Sequence, residues 1–302
     1  MDQRQPRYNN PKKYLFSDEM EDWQGPAVWI YNDAEFSDDD FRALIKLGIG
    51  GKSRDENEDD TRIGRFGIGF NCAYHITDLP SLVSGEYIAF LDPHAKFLPT
   101  IEYPPRRRKG ILINFIKEDF KNSFPDQCYP YETLGLGCDF SKKFKGTLFR
   151  LPLRTKKLAK ESKISDRLYD ANEILRLFDK VKGNKEILFL RNIESCSLQH
   201  MRNDGSLQLI WQVQIKNTGV CRSIREKVDD SDRVYQLEME LDLAKQSKKI
   251  SEIWLLCTGE QKKIKSEFKE LKEFAKDKKI KVNITLLFDF SNTVIHLIFI
   301  FI

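Results

Sequence analysis

Apolar and polar residues alternate strictly from Tyr235 to Leu243. Tyr235, Leu237, Met239, Leu241 and Leu243 are apolar, and Gln236, Glu238, Glu240 and Asp242 are polar. A period of two predicts a half-buried strand. Ile253–Cys257 predicts another, and shorter apolar runs at Ala27–Tyr31, 86–91, 111–116, 147–153 and Ile187–Leu190 have strand character. The helical period appears in Ser165–Lys182, where Leu168, Ala171, Ile174, Leu175, Phe178 and Val181 share a face. It returns in Lys263–Lys278, with Ile264, Phe268, Leu271 and Phe274 inward.

Ser37 followed by Asp38, Asp39 and Asp40 predicts a helix start. The hydroxyl caps free amides and the acids suit the positive helix end. Phe41, Leu44, Ile45 and Leu47 form its apolar face, and Gly48, Gly50 and Gly51 end it. Asn203-Asp204-Gly205 predicts the tight turn of a hairpin over 196–215. The first 23 residues carry little regular pattern, and residues 52–62 hold no apolar side chain, so they bury nothing and form a solvated loop. The mixture of strands and helices predicts an α+β or α/β chain.

Composition changes this picture little. The 302 residues are 40% hydrophobic and 32% charged, with Lys+Arg 50 against Asp+Glu 46. That is globular, and the mixed signs argue against a nucleic-acid partner. Six scattered cysteines, without C-x-x-C or zinc spacing, fit a reducing compartment and predict a cytoplasmic protein without a membrane partner. The apolar C-terminal stretch VNITLLFDFSNTVIHLIFIFI is interrupted by Asp289, Asn292 and His296. It reads either as a terminal buried strand or as a premature or out-of-frame end.

The most specific chemistry lies in RIGRFGIGFNCAYHI, Arg62 to Ile76. Gly64, Gly67 and Gly69 precede an expected helix that contains Cys72, Ala73 and Ile76. Glycines at a helix N-terminus let backbone amides cradle an anion, typically phosphate. The same residues also suit a plain turn into a packed helix. Phe66 and Phe70 would pin the loop from below. Gly51-Lys52-Ser53 is not a P-loop, since Lys46 stands where that motif requires glycine and a helix precedes it. His75 reads as packing, and Arg106–Arg108 as a solvated loop.

This segment resembles the second glycine box of the GHKL (Bergerat-fold) ATPases, most closely that of the ninety-kilodalton heat-shock chaperones. QGPAVWIYNDAEFSDDDF, FGIGFNCAYHITDLPSLVSG, Leu91-Asp-Pro-His94 and KGTLFRLPLRT resemble the sacsin family, co-chaperones built from heat-shock-ninety-like modules. The likeness covers roughly 2–200, with a weaker continuation to about 280. It implies an α/β two-layer sandwich of Bergerat type with a mixed sheet over 1–156. A smaller α+β region would occupy 157–302.

The resemblance also implies a partial nucleotide site. Asn32 and Asp33 occupy the turn that carries the family's adenine-reading aspartate. Asn32 is the closer counterpart but lacks the charge, a loss on the order of 1–3 kcal/mol. Gly48–Thr61 matches the nucleotide lid, with an acidic run, Asp55–Asp60, that would repel phosphate. Gly64, Gly67, Gly69 and Phe70 match the phosphate loop, with Phe66 beside them. Gly146 and Thr147 match the Gly-Thr pair on the base side. The helix bearing the general-base Glu and the magnesium-holding Asn has no counterpart, and Met1–Arg4 resembles the D-x-R that normally follows it. A truncated product, an incomplete sequence and a degenerate paralogue all remain open. No residue takes a catalytic or metal-binding role.

The implied function is a chaperone module binding ATP or ADP weakly, with magnesium only alongside nucleotide. The seventy-kilodalton heat-shock system or unfolded clients are the implied partners. The alternative is a non-enzymatic scaffold. Other GHKL enzymes would show a phosphoacceptor helical domain or a basic DNA face, and the sequence has neither.

Overall fold

A computed structural model of the chain describes residues 1–8, 13–45, 70–100, 107–179, 193–219, 233–258, 281–288 and 294–301. Two compact units emerge: Met1–Arg176 with Met201–Ser206, and Leu177–His200 with Leu207–Ile302.

The first unit contains β1 (Ala27–Asn32), β2 (Ser81–Gly85), β3 (Tyr87–Leu91), β4 (Gly110–Asn114) and β5 (Phe144–Pro152). They form one sheet in the order β1-β5-β2-β3-β4. The α/β class is as the sequence implies. Its described pairs are all antiparallel, where a mixed sheet was expected. Consecutive β2 and β3 need only a tight connection at Gly85 (φ +58°), and β4 pairs antiparallel on the other side of β3. A parallel pair would require a long crossover.

Strand alternation sorts the side chains to two faces. On one face, Val83, Ile88, Phe90, Ile113 and Leu148 join a core with Trp23, Phe115, Phe120 and Tyr131. That core draws on helices α2 (Phe120–Ser123) and α3 (Pro125–Glu132). It also takes Met20 and Trp23 from a 3-10 helix, Asp18–Trp23. The N-terminal 23 residues therefore contribute buried side chains despite lacking a regular pattern. On the other face, Leu82, Ala89 and Leu91 pack with Phe41 and Leu44 of α1 (Asp38–Ile45), and with Phe36, Phe70 and Phe149.

The caps explain several boundaries. Ser37 Oγ accepts from Asp40 N–H at 3.3 Å while Asp40 accepts from Ser37 N–H at 2.9 Å, a reciprocal box that starts α1. Thr155 caps α4 (Lys156–Glu161) by accepting from Leu158 N–H. The helix expected from Ser165 begins later, as α5 (Ala171–Asp179). Asp170 and Glu173 form its box. Upstream, Ser162 and Ser165 hydroxyls accept from the amides of Ile164, Ser165 and Arg167, bonds that compete with helix.

The second unit is built on a six-stranded sheet, ordered β10-β11-β9-β8-β7-β6. Its strands are β6 (Ser195–Met201), β7 (Leu207–Ile215), β8 (Arg233–Leu243), β9 (Lys248–Thr258), β10 (Lys281–Phe288) and β11 (Val294–Phe301). The hairpin at Asn203–Gly205 and the alternating strand at 235–243 are present, with Met239 and Leu241 buried and Glu238 exposed. The apolar C-terminal stretch supplies β10 and β11, with β11 seated between β10 and β9. The helix expected over Lys263–Lys278 and the strand over Ile187–Leu190 lie outside the described residues. Among the described residues, no helix is long and apolar enough to cross a membrane.

Thiol chemistry follows from packing. Cys72 is exposed, whereas Cys128 and Cys138 are buried. Burial pushes both buried thiols up, that of Cys138 to about 12. At pH 8 a thiol at that value holds on the order of 10³-fold less thiolate than an ordinary one. Mass mapping after brief iodoacetamide treatment should find the exposed Cys72 and Cys196 labelled before Cys128 and Cys138. Cys128 and Cys138 should be labelled only after denaturant is added. Equal labelling in the native protein would contradict the packing.

Candidate functional site

Asn32 ends β1 and lies opposite Thr147 of β5, which lies opposite Ser84 of β2. The alternation sets Asn32, Thr147 and Ser84 on the face that packs with Phe149 and Phe70. Phe70 opens a six-residue 3-10 helix, Phe70–His75. Its ring lies 5.8 Å from that of Phe149. Only a 3-10 turn forms where a continuing apolar helix was expected. Ala73 is buried there, while Cys72 and the His75 side chain are exposed.

The hydroxyls on this face form a closed chain. Phe36 N–H donates to Ser84 Oγ at 2.8 Å, Ser84 Oγ and Thr147 Oγ1 are 2.9 Å apart, and Thr147 Oγ1 donates to Ala34 O at 2.7 Å. Thr147 is fully buried. Its proton holds the turn after β1, so toward a ligand it retains only acceptor capacity. Asn32 and Asp33 are exposed, and Asn32 Oδ1 accepts from Ala34 N–H at 3.1 Å. Glu35 pairs with Lys143 at 2.9 Å.

Gly146 explains why glycine precedes Thr147. Its φ is +109°, and a Cβ there would sit 2.5 Å from the Asn32 carbonyl oxygen. Close approach of β5 to the β1 turn therefore needs the missing side chain. Asn32, Asp33, Phe70, Gly146 and Thr147 thus fall on or beside one sheet face. Gly64, Phe66, Gly67, Gly69 and the Gly48–Thr61 segment lie outside the described residues.

A buried ionic cluster went unrecognised in the sequence. Arg154 Nε donates to Asp78 Oδ1 at 2.8 Å, and Nη2 donates to the same oxygen. Nη1 and Nη2 also donate to the carbonyls of His75 (2.8 Å) and Tyr74 (2.6 Å). His94 Nε2 stands 3.1 Å from Asp78 Oδ2. Nearby Asp92 Oδ2 accepts from the amides of Lys96, Phe97 and Leu98, which folds the turn that carries His94. Arg154 grips the end of the 3-10 helix by its carbonyls and so holds the segment that begins at Phe70. Asp78, His94 and Arg154 are far apart in sequence. The only available signal was charge inside otherwise apolar motifs, TDLP, LDPH and LPLRT. Burial and the carboxylates push the Tyr74 hydroxyl up to about 12, with burial the larger cause.

Among the described residues, no group of three His, Cys, Asp or Glu is placed to hold a metal. A cavity of about 240 Å³ is present, but it borders Arg150 rather than Thr147. Those two side chains leave β5 on opposite faces, so this cavity is not the expected nucleotide site.

The Sacsin domain model matches residues 1–210. Human Sacsin is 34% identical over 210 residues, a stretch covering 66% of this chain and 4% of that protein. The matched region contains the whole face just described and the Asp78–His94–Arg154 cluster, and the chain belongs to the sacsin domain family.

Proposed function

We propose that the chain is a sacsin-type, chaperone-related module whose Bergerat-type pocket binds ATP or ADP weakly and hydrolyses ATP poorly or not at all. The observation that carries this reading is the gathering of Asn32, Phe70 and Thr147 on one face within the family match. The chemistry present suits a base only in part. Thr147 can accept but not donate, and Asn32 brings no charge. Magnesium would arrive with the nucleotide's phosphates rather than on a protein site. The seventy-kilodalton heat-shock system and unfolded clients are the proposed partners.

A second reading, a scaffold that keeps only the fold, draws support from the same hydroxyl chain. Ser84 and Thr147 satisfy each other and the β1 turn without any ligand. Calorimetric titration with ATP and ADP separates the two. Weak binding, in the high micromolar range or above, is expected, and Gly67→Ala should abolish it. Phosphate release should stay at background, because a missing general base typically costs ~10²–10⁴-fold. Turnover lost on Gly67→Ala would overturn the defective-hydrolysis reading and direct attention to Asp33 and Glu35. No binding in either titration would favour the scaffold, whereas suppression of aggregation of a thermally unfolded client would support the chaperone role.

A further inference from the structure

The cavity in the first unit is formed by the N-terminal segment, Gln24-Gly25, α3 and the hairpin tip Asn203–Gly205. Arg150 forms its floor and is 3% exposed. Its Nη1 and Nη2 donate to the carbonyls of Trp23 (2.8 Å) and Gly25 (3.1 Å), and its guanidinium lies 5.6 Å from the Trp29 ring centroid. Among the described residues its Nε–H has no acceptor, and each Nη keeps a second N–H. Among the described residues no carboxylate is in ion-pair reach of it.

The neighbouring charges are otherwise engaged. Arg4 uses its donors on Asp2, Thr133 and Pro130. Asp2 also accepts from Trp29 Nε1 at 3.1 Å. Asp126 accepts from Tyr14 N–H, and Asp204 from Ser206 N–H. Arg7, exposed at the rim, has no ion pair among the described residues. Gln24 Oε1, buried on the wall, has no donor among the described residues.

A desolvated guanidinium that faces a cavity, with no carboxylate in ion-pair reach among the described residues, is suited to receive an anion, and its planar fork matches a carboxylate. Asp126 and Asp204 in the walls oppose a doubly charged phosphate more than a single carboxylate. The orphan acceptor on Gln24 matches a peptide N–H. We propose that this cleft binds the carboxylate of an acidic peptide segment. Arg150 and Arg7 take the charge, Gln24 takes a main-chain N–H, and Tyr8 and Tyr129 flank the side chain. The site is independent of nucleotide binding.

The test titrates the full chain with acetyl-Glu-Glu-amide, acetyl-Gln-Gln-amide and glutarate, following arginine Nε–H signals by NMR. Acetyl-Glu-Glu-amide should shift the Arg150 signal, and salt should weaken the effect. Arg7→Ala should weaken binding by roughly two- to fivefold and flatten its salt dependence, as removal of an exposed charged partner does. In Arg150→Lys, calorimetric titration with acetyl-Glu-Glu-amide should show binding lost, and Arg7→Ala keeps the test decisive if Arg150→Lys fails to fold. An equal response to the Gln peptide, or none to any probe, would overturn the proposal. Glutarate binding as tightly as the peptide would overturn its peptide half.

Discussion

Arg154→Met should destabilise the first unit by about 3–5 kcal/mol, the cost typical of breaking a buried ion pair from one side. Both side chains of the pair are 1% exposed. Removing the guanidinium leaves Asp78 buried with only His94, and strips the carbonyls of Tyr74 and His75 of their donor. A large part of a domain's total stability would go with it. Denaturant titration should show the midpoint falling with an unchanged slope. The double variant Asp78→Leu, Arg154→Leu should lose clearly less than the sum of the two single changes, because no unpaired charge remains. Additive losses would show that the pair is not coupled. If Arg154→Met folds, the Phe70 region should loosen first, seen as faster amide exchange over 70–77.

Gly146→Ala should cost about 2–4 kcal/mol, from a positive φ and a direct clash. The added methyl carbon would stand 2.5 Å from Asn32 O and 2.9 Å from Tyr31 Cε2. The strand cannot retreat without breaking the pairing of Asn32 with Thr147. Gly205→Ala is the control. Its φ is +82° but nothing lies within 4 Å, so only the backbone preference is lost, about 1–2 kcal/mol. Thermal melts of the two variants should differ in that order. Equal melting temperatures would mean that the close approach at Gly146 is not needed.

The strands were legible because their patterns are local. Alternation over 235–243 and the turn residues Asn203–Gly205 encode a strand and a hairpin with little help from the rest of the chain. The Ser37–Asp40 box was equally readable, since all its hydrogen bonds run within four residues. The helical period over Ser165–Lys182 predicts a start ahead of the one observed at Ala171. Periodicity cannot show that Ser162 and Ser165 bind backbone amides instead.

Within the candidate site, the sequence by itself determined which residue types are present: glycine before Thr147, Asn rather than Asp at position 32, and an apolar ring at Phe70. The family membership rests on the same motifs. Only the tertiary structure decided what those groups are free to do. Thr147 is a hydroxyl in the sequence, but strand register brings it to Ser84 and Ala34, which fix its proton. Asp78, His94 and Arg154 are isolated charges along the chain and one buried cluster in space, because three strand ends and a turn converge on them. Arg150 reads as a polar residue in an apolar strand. Its burial, with no carboxylate partner among the described residues, follows from both faces of the sheet being covered. Local spacing sets secondary structure through short-range hydrogen bonds. Protonation, pairing and access depend on neighbours many residues away, which only the packed fold brings together.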